Sequence, residues 1–313
     1  MNLTRLSILT IGPFAVIAVA YWLAAPQATQ GMLRAAPQPG LLPPERGSAT
    51  PRHTLAAQCQ ATVTQLQAIL PAKFNIVARA PFVIAGDLSR SRLQALHAAV
   101  IAPVARALDA TYFERPPKHT ITIVVCSTED LFRQLAKDWD GQLETGYHGY
   151  YQRDKHRILL DLEAGNGSLA HELTHALSHA DCEHLPEWFD EGLGALHEEA
   201  SYSPDGRRLI GLANWRCRVT RQAAQSGSLP PLATWTPAAT FREGDVGLNY
   251  AVARSLCLYL QDRQVLTRYY KELRTRPQSD PEGIATLCRV LGVKNPSQAE
   301  RQFATWVKSQ PGR

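Results

Sequence analysis

Two histidines four residues apart with a glutamate beside the first, His171-Glu172-Leu173-Thr174-His175, constrain this chain more than any other stretch. Positions i and i+4 share a face on a helix, so there the two imidazoles can aim at one metal ion while Glu172 points beside the open coordination position. Leu173, Ala176, Leu177 and Ala180 add an apolar stripe at helical spacing, and Gly165-Asn166-Gly167-Ser168 supplies a break and a polar cap just before it. The motif is therefore expected on a helix.

A catalytic zinc ion takes three protein ligands and keeps a fourth position for water, so two histidines leave one ligand to be found. Pro186-Glu187-Trp188-Phe189-Asp190-Glu191-Gly192 follows within reach. Pro186 suits the first turn of a second helix, and residues 181–185 are enough to reverse the chain between the two. Glu191, sixteen residues past His175, would face back onto the metal from an antiparallel partner helix. Glu187 and Glu198 share its helical face and remain alternatives.

HELTH followed by WFDEGLGALHE resembles the gluzincin branch of zinc metallopeptidases, and within it the peptidase-MA-like family with its W-x-x-E-G context. The resemblance selects Glu191 as third ligand beside His171 and His175, around a single Zn2+. It implies that Glu172 is general base and proton shuttle, and that Trp188 and Gly192 pack the second helix closely on the first. Glu198 takes the trailing acidic position, where it would support a ligand histidine from outside. Tyr250 opens the helical stretch at residues 249–260 and would donate a hydrogen bond to the oxyanion of a tetrahedral intermediate. The implied fold is an α+β, thermolysin-like catalytic domain.

The implied activity is zinc-dependent peptide-bond hydrolysis by metal-activated water, with a peptide or protein as substrate. No G-x-S-x-G elbow, Walker loop or G-x-G-x-x-G competes with it. Aminopeptidases of this branch carry G-x-M-E-N upstream of the metal helix; residues 145–152 read Thr-Gly-Tyr-His-Gly-Tyr-Tyr-Gln, without the acid that holds a free amine. An endopeptidase or narrow processing enzyme fits better, with residues 149–153 or 157–162 as the edge strand along which an extended substrate pairs. The alternative is a catalytically silent binding or scaffold module of the cell envelope. Retention of Glu172 favours activity, since a structural site has no need of a base.

Residues 8–25 are almost wholly apolar, with Thr10 the polar exception and Arg5 on the leading side. They are expected to form an uncleaved N-terminal membrane anchor (residues 1–25), a cleavable signal peptide being the rival that Pro26 disfavours. Positive charge ahead of the span predicts a single-pass, N-in topology with the catalytic domain in the periplasm or its equivalent. Residues 26–52, with six prolines, then read as a stiff tether, and residues 53–313 as one catalytic domain.

Within that domain helices are expected at residues 53–70, 90–113, 131–139 and 250–274, and strands at 82–85, 121–126, 149–152 and 158–162, a mixed sheet lobe followed by a helical lobe with the cleft between. Cys182 and Cys217, or Cys257 and Cys288, can be paired in an oxidising compartment, or the six cysteines stay free thiols. His179 and His184 read as solvated or supporting residues, and His148 as a residue that can line the cleft. The net charge of +5 carries no clustered basic run, so nucleic-acid binding has no support. Oligomeric state leaves no signal.

Overall fold

The computed structural model describes residues 50–142, 148–276 and 278–310. The chain divides into Met1–Gln30 and Gly31–Arg313, and all described residues belong to the second unit. Its sheet runs from strands β1 (Asn75–Arg79), β2 (Phe82–Gly86), β3 (Ile121–Cys126), β4 (Gly149–Gln152) and β5 (Arg157–Asp161), in the spatial order β1-β2-β3-β5-β4. The two inner pairings, β2 with β3 and β3 with β5, are parallel; the two outer ones are antiparallel. Strands β2 and β3 are buried along their whole length, as their almost wholly apolar sequences, with Thr122 the polar exception, predict for a sheet covered on both faces.

The two-residue period of the strands separates two cores. Ile84, Ile123, Ile158 and Leu160 face one way, onto α2 (Arg90–Leu96), α3 (Ala102–Thr111) and α5 (Asn166–Asp181). Val83, Val124 and Leu159 face the other way, onto Leu66 of α1 (Thr50–Ile69) and Phe132 and Leu135 of α4 (Glu129–Asp140). Helix α4 is locally well specified: Thr128 accepts from the Leu131 amide at its start, and Gly141 ends it at φ 64°. The stretch expected as one helix over residues 90–113 is two, joined by a π-helical turn at His97–Ile101.

Beyond the sheet come α6 (Glu187–Glu198), a small hairpin of β6 (Ala200–Tyr202) and β7 (Leu209–Gly211), and α7 (Trp215–Ser226). Two short turns, α8 (Leu232–Trp235) and α9 (Ala238–Phe241), lead into α10 (Val246–Asp262), followed by α11 (Leu266–Arg274), α12 (Ile284–Leu291) and α13 (Pro296–Ser309). The single helix expected over residues 250–274 is broken because Gln264 sits at φ 59°, in the left-handed region that no α-helix continues through. Helix α6 packs on α5 on one side and α10 on the other.

The hairpin β4–β5 is tied to the far face. Tyr150 donates to Asp140 Oδ2 at 2.6 Å, Lys155 to Oδ1 at 2.7 Å, and Arg157 reaches both oxygens at 2.5 Å, around a carboxylate with no exposure.

The expected fold class and the membrane anchor with its placement are corrected, and of the two readings of the cysteines the free thiols hold. The fold is a mixed α/β sheet covered on both faces, and no helix among the described residues is long and apolar enough to cross a membrane. Even the 20-residue α1 is interrupted by Gln58, Gln60, Gln65 and Gln67, and it begins at Thr50, inside the expected tether. Residues 8–25 lie outside the described residues, so the transmembrane helix, and the periplasmic placement that depended on it, have no counterpart in the described structure. All six cysteines are free thiols, so neither suggested pair is bridged. Cys182 instead approaches the His184 carbonyl, and Cys217 accepts from Arg254.

Candidate metal centre

Helix α5 starts without a side-chain cap; the polar stretch before it acts through Gly165, whose φ of 86° turns the chain into the helix. Leu169, Leu173 and Ala176 bury one stripe of α5 in the sheet core, which leaves His171 and His175 turned toward α6 and Glu172 beside β4. Helix α6 begins at Glu187 with Pro186 in the cap position, and its own stripe of Trp188, Phe189, Leu193 and Leu196 is fully buried. Packing of these two stripes fixes the distance at which charged side chains meet.

His171 Nε2 lies 3.5 Å and His175 Nε2 lies 3.7 Å from the same atom, Glu191 Oε2. These are long for a charge-assisted hydrogen bond. They are close to the separation of about 3.4 Å that donor atoms take around a tetrahedral zinc ion with bonds near 2.05 Å. The three donor atoms all fall within 4.8 Å of one another, a group that can hold a metal ion. Glu187 turns away to Arg242, and Glu198 reaches the opposite ring nitrogen of His171, so neither alternative acid shares this focus.

Each of the three donors is backed by a charged group. His171 Nδ1 meets Glu198 Oε1 at 2.8 Å, and Glu198 is in turn held by Arg216. His175 Nδ1 faces Asp190 Oδ1 at 3.1 Å in an ion-pair contact whose alignment is too poor for a hydrogen bond. Asp190 also takes the Ser178 hydroxyl at 3.2 Å and His179 Nε2 at 2.7 Å. Glu191 Oε1 takes Arg242 at 2.7 Å. Carboxylates beside the outer nitrogens leave Nε2 of both rings aimed inward, the orientation that metal-binding histidines need. His175, His179 and Asp190 form a second group of suitable donors, sharing His175 with the first.

Burial alone would push both imidazoles toward neutrality, but the carboxylates outweigh it. His171 is pushed up to about 9 by its contacts with Glu191 and Glu198, and His175 is raised well above the ordinary histidine value by Asp190 and Glu191. Against the cost of desolvation, Glu191 is held well below the usual carboxylate range by the two rings. Glu198 is held down to about 2, against its own burial, by Arg216 and His171. The carboxylates thus favour positive charge on the two rings, at the place a bound cation would take. Glu172 alone among these acids is raised, because its desolvation outweighs the neighbouring histidines.

Glycines set two close approaches. A Cβ at Gly194 would lie 2.9 Å from His171 Nε2, so it is Gly194 that lets α6 approach the ligand helix. Gly192, expected in that role, instead faces α10, where a Cβ added to it would meet the Ala253 carbonyl at 2.8 Å, and Trp188 packs on Trp235 and Tyr269. Both corrections follow from α6 being wedged between two helices rather than lying on one.

Strand β4 is the margin of the sheet nearest α5, while β5 lies inside it, so of the two candidate edges residues 157–162 are excluded. A Cβ at Gly149 would sit 3.6 Å from Glu172 Cγ, and Tyr151, on the same face, lies beside His179. His148 falls with Tyr150 on the face carrying α4, where it pairs with Asp161 at 3.2 Å, and does not line the centre. His184 is exposed in the connection between α5 and α6. Tyr250 is half-buried in the second turn of α10, with its ring tilted against Phe241 and 5.9 Å below the Arg242 guanidinium. No family model matches the chain, and no curated protein matches it at a significant level.

Asp190, His179, Arg216 and Arg242 are the members of the centre that sequence reasoning misses or leaves without a role. Asp190 has a signal, since it precedes Glu191 in the same motif. Arg216 and Arg242 enter from segments with no motif of their own.

Proposed function

We propose that this chain is a zinc-dependent peptide hydrolase of the gluzincin, peptidase-MA-like type, acting as an endopeptidase or narrow processing protease. The observation that carries the reading is the convergence of two inward-facing Nε2 atoms on one Glu191 oxygen, at 3.5 and 3.7 Å, beside a buried glutamate. His171, His175 and Glu191 would hold one Zn2+. Zinc bound there supplies Lewis acidity, bringing the pKa of water toward neutrality and polarising a scissile carbonyl.

The remaining chemistry belongs to this chain. Glu172, raised by burial, is suited to take a proton from water near neutral pH and to return it to the departing amine. Its side chain lies over the open face of Gly149 in β4, so a peptide added to that margin in extended form would pass its backbone near the carboxylate. The absence of a side chain at Gly149 leaves room for that passage. Tyr250 is the proposed donor to the developing oxyanion, approaching from α10 beside Arg242.

The test compares wild type with Glu172→Gln, measuring zinc content and cleavage of a diverse quenched-peptide library. Both proteins should bind about one zinc, and the variant should lose cleavage by at least 100-fold. Equal turnover in the two would rule out the mechanism, and a wild type that takes up no zinc would rule out the metal reading.

A further inference from the structure

We propose that Arg242 is a positioning residue of the metal centre, holding Glu191 so that one carboxylate oxygen is offered to the ion and the other is withheld. The inference rests on the metal-binding reading above and extends it to a residue that no motif marks. A glutamate next to a divalent ion can bind through one oxygen or both, and the choice decides how many positions are left for water and substrate. Here Oε2 is the atom facing both histidines, while Oε1 accepts from Arg242 Nη2 at 2.7 Å. The second oxygen is thus already engaged in a charge-assisted bond.

The guanidinium is fixed well enough for this task although 51% of the side chain is exposed. Its Nε is bonded to Glu187, one turn before Glu191 on the same helix, so the fork spans two carboxylates at once. Its Cζ lies 5.9 Å from the Tyr250 ring. The backbone on either side is pinned as well: the Asn249 amide donates to the Phe241 carbonyl at 2.9 Å and to the Glu243 carbonyl at 3.2 Å, and Phe241 is fully buried. Arg242 therefore leaves a fixed point and arrives at a fixed point. Neither end depends on a metal being bound.

An exposed ion pair contributes little to the stability of a fold, so the effect is expected on the ion and not on folding. The experiment measures zinc affinity by chelator competition, together with the visible absorption of the cobalt(II)-substituted protein, for wild type, Arg242→Ala and Arg242→Lys. Arg242→Ala should bind zinc about 10-fold more weakly, the lower end of what loss of an outer partner costs. Its cobalt bands should weaken as the freed carboxylate adds its second oxygen and the coordination number rises. Arg242→Lys keeps a charge but not the two-pronged reach, and should recover part of the affinity. If Arg242→Ala keeps the wild-type affinity and spectrum, or binds zinc more tightly, the positioning role is wrong while the metal site stands. If wild type itself binds neither ion, the metal reading falls, and this proposal with it.

Discussion

Adding one methyl group at Gly194 separates the fit of the metal helix from the stability of the fold. The new Cβ would stand 2.9 Å from both Cδ2 and Nε2 of His171 and 3.2 Å from Cε1. Ordinary carbon contacts are about 3.5–4.0 Å, so the ring must retreat by roughly 0.6 Å or more, because α6 is wedged against α10 and cannot. Ligand distances tolerate only about 0.2 Å, so the displaced Nε2 is lost as a good ligand. Stability moves little: alanine gains about 1 kcal/mol of helix propensity over glycine, against about 1–3 kcal/mol for overpacking. The contrast is Gly192→Ala, whose Cβ would meet a backbone carbonyl, Ala253 O, at 2.8 Å. There two helices must part, costing about 2–3 kcal/mol without touching a ligand directly. Thermal melts in chelator and zinc titrations of both variants give the readout. Gly194→Ala should lose zinc affinity by about 100-fold with the smaller change in melting temperature, and Gly192→Ala should show the reverse pattern. A Gly194→Ala protein that binds zinc like wild type would refute the assignment of His171 Nε2 as the inward donor.

Three further outcomes are expected. Asp190→Ala removes the acid facing His175 Nδ1 and should weaken zinc binding by about 10-fold to 100-fold in the same titration. Asp181, fully buried at the end of α5, accepts from the Glu114 and Arg115 amides, the Tyr270 hydroxyl and Arg274; Asp181→Ala should cost about 3–5 kcal/mol in denaturant unfolding. Asp140 is held below its ordinary value of 3.8, since desolvation is outweighed by hydrogen bonds from Gln152, Lys155, Tyr150 and Arg157. A carboxylate lowered by folding adds stability that is complete above its unfolded pKa and is surrendered as pH falls through the folded one. Melting temperature should therefore drop below about pH 4 in wild type, and Asp140→Asn, less stable at neutral pH, should show a flatter acid limb.

How much of this was legible from sequence depends on whether neighbours in space are neighbours along the chain. The strand at residues 121–126 reads directly because both its faces are covered and every residue but Thr122 is apolar. His171, Glu172 and His175 lie within two turns of one helix, and Glu191 and Glu198 on the next, so periodicity and the motif bring them to one place. Asp190 stood beside Glu191 but not on its face, and a face argument passed over it; its carboxylate reaches back to His175 and His179 around the side of the helix. Arg242 lies 51 residues from Glu191 and is delivered by a loop, which no period encodes. The reading of Gly192 failed for a different reason: a glycine in a helix signals a close approach but not to which neighbour. Gln264 gave no warning, because glutamine is an ordinary helix former and its left-handed backbone is imposed by the tertiary turn between α10 and α11. The apolar span at residues 8–25 lies outside the described residues.

The hairpin β4–β5 acts as a ruler whose zero is set on the side of the sheet away from the candidate metal centre. Successive residues of β4 point to opposite faces, so a slip of one position would exchange Gly149 for His148 or Tyr150 against Glu172. The clamp that prevents the slip is Asp140, which grips Tyr150, Lys155 and Arg157 from α4 and touches nothing in the centre. Substitutions there can therefore disturb the candidate centre while leaving every one of its residues in place, and a survey of variants with weakened zinc binding should find a second cluster behind the sheet.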